Sequence, residues 1–311
     1  MIDPQAAAYL ARLGELGIRP IEALTPGQLR EQTEKSAPAL FGPVEEVASV
    51  IDRDADGVRV RVYEPDARDG DSMLLWLHGG GWVACSLDTH DGPCRALANR
   101  TGWTVVSVDY RRAPENHFPA ALEDAWRATQ WVARRARQVV VGGDSSGGNL
   151  AAAVAVRARD HDLSLSLQVL VNPILDHDFS RPSYTSNAIG KGLTRDAMRW
   201  YWEHYLGLAE SSNPEASPLR TSTLTGLAPA LIVVCGHDPL RDEGIDFATR
   251  LRQFGVPVQL TEYDDMIHGF IRMAAVIDRT QELLDECAAA VRRLRVDGAE
   301  AVKAHDANYH R

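Results

Sequence analysis

Cysteine is scarce in this chain of 311 residues. The four present, Cys85, Cys94, Cys235 and Cys287, lie far apart and include no CxxC pair, a distribution that indicates neither a disulfide framework nor a zinc site. Each thiol reads as a small buried hydrophobe, and the expected setting is reducing and cytoplasmic. Positive charge is also in deficit, with 33 Lys and Arg against 43 Asp and Glu and a formal net charge of -10. No basic field remains for phosphate backbones or anionic lipid heads, so no nucleic acid partner is expected. Long apolar runs are missing too. No segment approaches the roughly 18 uncharged apolar residues of a membrane helix. The start, MIDPQAAAYLARLGELG, carries Asp3, Arg12 and Glu15 where a secretory leader needs a basic stretch and an unbroken apolar core. No membrane association is expected, and the sequence carries neither internal repeats nor low-complexity tracts.

What is present from Met73 onwards is an alternation. Short β-branched apolar runs ending at Gly, Asp or Asn are followed by longer helix-compatible stretches, the signature of a parallel sheet. The runs are MLLWLHG (73–79), TVVSVDY (104–110), QVVVGGD (138–144), LSLQVLVNP (165–173), ALIVVCG (230–236) and VPVQLTEY (256–263). Their nearly continuous apolar character predicts strands covered by helices on both faces. Upstream, VASVIDRDADGVRVRVYEP (47–65) predicts an antiparallel hairpin turning at Asp56-Gly57 on one edge of the sheet. In AALEDAWRATQWVARRA (120–136), Leu122, Ala125, Trp126, Thr129 and Val132 recur at helical spacing and predict a helix packed on the sheet.

Two segments stand outside the alternation: residues 1–45, helical in pattern, and residues 178–215, which contain TRDAMRWYWEHYLG. The second is inserted between two strands and must emerge at the mouth of the sheet. Together they are expected to form a cap over a catalytic domain made of residues 46–177 and 216–297, followed by a polar, frayed tail over 298–311.

The chemistry starts at Gly143-Asp144-Ser145-Ser146-Gly147, which follows the strand QVVV and opens the helical run NLAAAVAVRARD. A G-x-S-x-G at a strand-to-helix turn is a nucleophile elbow, because its glycines remove side chains that would clash in so sharp a bend. The other reading is a glycine-rich turn that only packs a helix on a sheet, or an anion nest. A serine hydroxyl needs a base and an orienting carboxylate, and the chain offers both in the right places. Asp238 lies just past ALIVVCG and His268 just past VPVQLTEY. One right-handed crossover between those strands brings both residues to the edge that presents Ser145. His177, His204 and His237 rival His268 by composition only, and Asp264 and Asp265 rival Asp238 but lie close to the histidine along the chain.

An oxyanion needs donors as well. His78-Gly79-Gly80-Gly81-Trp82 follows MLLWL, and its consecutive glycines let backbone N–H groups turn toward the serine. The expected donor set is Gly79, Gly80 and Gly81 together with the N–H of Ser146 at a helix start. Trp200, Tyr201, Trp202 and Tyr205, with Trp82, are the residues expected to line a substrate pocket, although aromatics at such spacing as often form plain core. No metal-ligand set is present.

These residues resemble the hormone-sensitive-lipase-like branch of the α/β-hydrolases, often called bacterial family IV esterases. The likeness covers about residues 45–290 through HGGGW, Tyr110-Arg111-Arg112-Ala113-Pro114-Glu115, HFPAALEDAW, GDSSGG, DPLRDEG and HGF. It implies an α/β-hydrolase fold with a mostly parallel eight-stranded sheet, helices on both faces and a helical cap. It also implies hydrolysis of short acyl esters without a cofactor, Gly80 and Gly81 as the donating glycines with Gly79 shaping the turn, and a homodimer paired through the edge strand VPVQLTEY. Ser146 departs from the alanine usual after the nucleophile, and Arg112 from an apolar residue; Arg111 and Glu115 are expected to be paired and buried beneath the site. The implied activity is that of a carboxylesterase, with an amidase or formamidase as the alternative that the same triad serves. A small-ligand receptor, also found in this branch, is disfavoured by the presence of His268.

Overall fold

The computed structural model describes residues 1–68 and 70–309, with side-chain surroundings through Leu294. Two helices open the chain. α1 (Pro4–Glu15) is capped by Asp3, whose carboxylate accepts the N–H groups of Gln5 and Ala6, and α2 (Pro26–Phe41) by a capping box between Thr25 and Gln28. The strands β1 (Ser49–Asp54) and β2 (Arg59–Glu64) form the expected hairpin. Asp56 and Gly57 both adopt positive φ, 56° and 87°, as a two-residue hairpin turn requires.

The alternating elements then follow as β3 (Met73–Leu77), α3 (Asp91–Thr101), β4 (Thr104–Val108), α4 (Ala120–Ala133), β5 (Val139–Asp144), α5 (Ser146–Asp160) and β6 (Leu167–Val171). The insertion carries α6 (Pro182–Ser186) and α7 (Arg195–Leu206), and the chain closes with β7 (Ala230–His237), α8 (Arg241–Gln253), β8 (Val258–Ile267) and α9 (Arg279–Tyr309). α4 stops at Ala133, short of the predicted residue 136, because the chain must turn back into the sheet, with the Arg137 N–H donating to the Asp71 carbonyl at 3.0 Å. Of the tail expected over 298–311, the side chains lie outside the described residues, and so do residues 310 and 311 entirely.

One eight-stranded sheet results, in the order β1-β2-β4-β3-β5-β6-β7-β8. β1, β2 and β4 pair antiparallel, and every other pair is parallel. Side chains alternate between two cores, as the period of two in a strand dictates. Leu75 and Leu77 of β3, with Ile232 and Val234 of β7, face the core of α4, α5 and α8. Leu74 and Trp76, with Leu231 and Val233, face that of α3 and α9. Each such buried aliphatic side chain contributes about 1.5–3 kcal/mol, which explains why nearly every position of the central strands is apolar. Cys85, Cys94, Cys235 and Cys287 are buried and free. Among the described residues no helix is long and apolar enough to cross a membrane.

Candidate active site

Ser145 sits where β5 turns into α5, at φ 56° and ψ −118°. A non-glycine residue there costs on the order of 1–3 kcal/mol and persists only when its surroundings hold it. They do: the Ser145 N–H donates to the Val171 carbonyl at 2.8 Å, and its own carbonyl accepts from Asn149 at 3.0 Å and Ile174 at 3.1 Å. The flanking glycines have a specific cause. A Cβ on Gly143 would stand 2.4 Å from the Leu77 carbonyl oxygen, and one on Gly147 would stand 1.9 Å from the same atom. The elbow is pressed against the carboxyl end of β3, so neither position admits a side chain.

β7 and β8 are parallel neighbours, and the residues just past them meet. His268 Nε2 lies 3.0 Å from Ser145 Oγ, and its Nδ1 lies 2.7 Å from Asp238 Oδ2. Asp238 is fully buried. Its Oδ1 accepts the Leu240 N–H at 2.9 Å and its Oδ2 the Asn172 amide at 3.2 Å. Asn172 escaped the sequence reading. Its signal is the Asn-Pro at the end of β6, where it adopts φ 46°, a conformation Asn tolerates better than most residues. The rival residues stand outside this chain of contacts: Asp264 is exposed, Asp265 pairs with Arg279 at 2.9 Å, His204 Nδ1 bonds the Trp200 carbonyl at 2.8 Å, His177 packs on Phe179 and Trp202, and His237 Nε2 has no hydrogen-bond partner among the described residues.

Facing Ser145 is the glycine loop. Gly80 and Gly81 take φ of 109° and 60°, a region that favours glycine, and a Cβ on Gly81 would fall 2.0 Å from the Tyr201 ring. The Gly79 N–H is already donated to Asp144 Oδ1 at 3.2 Å, so of the expected donors Gly79 is spent on the turn. Among the described residues none accepts the N–H of Gly80, Gly81 or Ser146, and Ser146, opening α5, has no intrahelical acceptor. Beneath the loop, His78 stacks on Tyr110 at 4.2 Å, and the Tyr110 hydroxyl donates to the His78 carbonyl at 2.8 Å. Burial pushes the His78 pKa down to about 3, so the ring is neutral. His90, another residue not foreseen, stands 3.1 Å from Asp144. Burial opposes the Asp144 charge, yet His90 and Arg272 hold its pKa below the usual carboxylate range.

Two expectations are corrected. Trp82, Trp202 and Tyr205 do not line the pocket: all three are fully buried, with Trp82 stacked on Tyr205 at 4.0 Å and tilted against Trp202 at 4.8 Å. On α7, Met198, Trp202 and Tyr205 fall on the stripe turned to the core, while Tyr201 faces the cavity. Arg111 and Glu115 are neither buried nor paired with each other. Arg111 grips Asp124 of α4 through two contacts of 2.8 Å, and Glu115 is held by Arg30 of α2 at 2.6 Å. Their side chains are 47% and 57% exposed. Arg30 also donates to the carbonyls of Val83 at 2.8 Å and Ala113 at 2.7 Å, fastening α2 to the loop that follows the glycines.

Over the serine lies a cavity of about 360 Å³. α1 and α2 contribute Tyr9, Leu13 and Leu29, and the insertion contributes Leu193, Ala197 and Tyr201.

Compared with known proteins, residues 74–272 match a family described as the alpha/beta hydrolase fold. The chain is 40% identical over 267 residues to Esterase LipI of Mycobacterium tuberculosis, covering 80% of this chain and 83% of that protein. It is 36% identical over 304 residues to an ethyl acetate hydrolase of Pseudomonas putida, covering 90% and 95%. Among solved structures, a thermostable esterase from Pseudomonas putida superposes with a TM-score of 0.90 at 32% identity, covering 94% of this chain and 97% of that one.

Proposed function

The chain belongs to the α/β-hydrolase fold family and is a carboxylic ester hydrolase, and we propose that it cleaves short- to medium-chain acyl esters with Ser145 as nucleophile, His268 as base and Asp238 as the orienting carboxylate. The observation that carries this reading is the continuous chain of contacts Ser145 Oγ to His268 Nε2, 3.0 Å, and His268 Nδ1 to Asp238, 2.7 Å. His268 Nε2 takes the hydroxyl proton as Oγ bonds to the ester carbonyl carbon, whose oxygen gains the negative charge. The free N–H groups of Gly80, Gly81 and Ser146 receive that oxyanion. Collapse breaks the bond to the alcohol oxygen, which leaves with the proton from His268. Water, deprotonated by the same nitrogen, then releases the acid from Ser145.

The cavity volume suits acyl groups of limited length, in keeping with a relative named for ethyl acetate. In this reading residues 1–45 and 178–215 form the cap. β8, whose outer edge ends the sheet, pairs with a second copy to make a homodimer, which light scattering at micromolar concentration tests. Four free thiols fit a reducing, cytoplasmic location. The central test is covalent: a fluorophosphonate probe labels the wild type at Ser145, and Ser145→Ala loses both the label and the hydrolysis of p-nitrophenyl butyrate. Hydrolysis surviving that substitution would refute the assignment.

A further inference from the structure

Four residues after His268, Arg272 of the short turn Phe270–Arg272 lines the substrate cavity. Its neighbours anchor the turn: Phe270 and Ile271 are fully buried and Met273 nearly so, and Arg272 is the residue of the turn that lines the cavity. Several other partly buried arginines have partners, Arg112 and Arg250 on the backbone carbonyls of Cys85 and Thr221 and others on carboxylates. Arg61 reaches Asp52 at 2.8 Å, Arg111 reaches Asp124 at 2.8 Å, and Arg181 reaches Asp176 at 3.0 Å. Arg272 has no carboxylate within 4.0 Å and donates no side-chain hydrogen bond among the described residues, although a half-buried cation ordinarily has at least one of the two. Asp144, the carboxylate in its electrostatic reach, is already taken by His90 and the Gly79 N–H.

Two further donors face the same space. Tyr9 of α1 and Tyr201 of α7 both line the cavity and both interact electrostatically with Arg272, and neither hydroxyl bonds a described residue. Three donors from three separate elements thus line one cavity with no acceptor bound to them among the described residues; Arg19, Glu22, Gln32, Thr33, Ser36 and Thr194 line it as well, beside its apolar residues. Arginine presents a planar fork that matches a carboxylate through two parallel hydrogen bonds.

We propose that Arg272, with Tyr9 and Tyr201, forms an anion subsite, and that the substrate class is an ester bearing a second, free carboxylate. This rests on the esterase reading above. The carboxylate reaches the cavity on either the acyl half or the alcohol half of the ester, and the two are separable by experiment. For the acyl half, kcat/KM for monoethyl glutarate is compared with that for ethyl pentanoate, in which a methyl replaces the carboxylate. For the alcohol half, γ-acetoxybutyrate is compared with butyl acetate.

In the wild type at least one charged member of these pairs is preferred or matched despite its desolvation, and that preference weakens with added salt. Arg272→Met lowers the charged-to-neutral ratio about tenfold or more, the usual scale for losing a charge-assisted hydrogen-bond pair. Arg272→Lys restores part of it. Tyr9→Phe, which keeps the ring and removes one donor, lowers the ratio about threefold and serves if Arg272→Met does not fold. A wild type that hydrolyses the neutral esters but rejects both charged ones overturns the anion subsite and leaves the esterase reading standing. An equal fall for charged and neutral substrates in Arg272→Met assigns the residue to supporting Asp144 and also overturns it. Failure to hydrolyse any of the four esters takes down both readings.

Discussion

The carboxylate of Asp144 accepts the Gly79 N–H at 3.2 Å, so the residue before Ser145 is tied to the first glycine of the loop that faces it. A Cβ on Gly79 would stand 2.4 Å from that carboxylate, which accounts for glycine at a position whose N–H is not free for substrate. Elbow and loop come from different strands, β5 and β3, and this bond with the His90 contact sets their separation. Asp144 is therefore a positioning residue. Asp144→Ala is expected to lower kcat for a short p-nitrophenyl ester by about 10- to 100-fold with a smaller change in KM, since the loss falls on transition-state donors. Asp144→Asn, which keeps an acceptor, should recover part of it. A change confined to KM would refute this role.

The close approach of Gly147 to Leu77 makes a second prediction. Gly147→Ala forces a methyl to 1.9 Å from a backbone oxygen, which only movement of the elbow relieves, and overpacking of this kind costs about 1–3 kcal/mol or more. The variant should melt several degrees lower and lose most activity. Gly27→Ala is the control. It lies in α2 with nothing within 4 Å of its new carbon and should be neutral or stabilising by about 0.5 kcal/mol. Equal melting temperatures for the two variants would sink the steric account.

How far the sequence reaches follows from these contacts. The strand runs, the Asp56-Gly57 hairpin and the meeting of Ser145, Asp238 and His268 were legible because each depends on what a strand or its end does locally and on a crossover of fixed hand. Partners drawn from distant elements were not. Arg30 and Asp124 claim Glu115 and Arg111, and nothing in the intervening sequence marks those pairings. Trp202 and Tyr205 were misplaced for another reason: every face of α7 carries an aromatic or apolar residue, so composition did not show which stripe faces the core. Asn172 and His90 act through side chains that become relevant only once β6 and β7, or β3 and β5, are side by side.

The carboxylate assignment has a sharp control. Asp238 bonds His268 at 2.7 Å within a fully buried pocket, whereas Asp264 is exposed. Asp238→Asn should lower kcat by roughly 10⁴-fold, since the imidazole loses its orienting charge, and combining it with Ser145→Ala should add little, because such residues act as a unit. Asp264→Asn should stay within about twofold. Comparable damage from Asp264→Asn would move the carboxylate role.

Glu243 gives a pH-dependent prediction. It is fully buried on α8, where its Oε2 accepts the Asp176 N–H at 3.0 Å. Burial pushes its pKa well above the ordinary carboxylate range, with Arg181 opposing and Asp176 and Asp238 reinforcing the shift. The folded state thus keeps a proton that the unfolded chain releases near pH 4.3. Where the native state binds more protons, stability falls as pH rises, so this contribution is complete below the unfolded pKa and is lost as pH climbs toward the raised value. Glu243→Gln keeps a neutral acceptor for Asp176 and removes the titration. Urea unfolding at about pH 5, 7 and 9 should show the variant gaining on the wild type as pH rises. Parallel profiles would show that Glu243 does not titrate differently in the fold.

The two adjacent serines raise the last question, which of them attacks. Ser145 Oγ lies 3.0 Å from His268 Nε2. Ser146 opens α5 fully buried, and its Oγ faces the Tyr110 hydroxyl without a hydrogen bond of good geometry. A buried hydroxyl without a partner stabilises little and can cost about 1 kcal/mol or more, while the backbone N–H of the same residue has no acceptor among the described residues and is the donor proposed above for the oxyanion. The side chain is therefore dispensable and the backbone is not. Ser146→Ala should change kcat/KM by less than about tenfold, or 1.4 kcal/mol, and leave the melting temperature equal or higher. Ser146→Pro deletes the N–H and should cripple turnover, although the Ser145 hydroxyl and its contact with His268 are spared. Mass spectrometry of the phosphonate-labelled peptide separates the two readings directly: an adduct on Ser146, or a loss in Ser146→Ala matching that in Ser145→Ala, would transfer the nucleophile to the second serine.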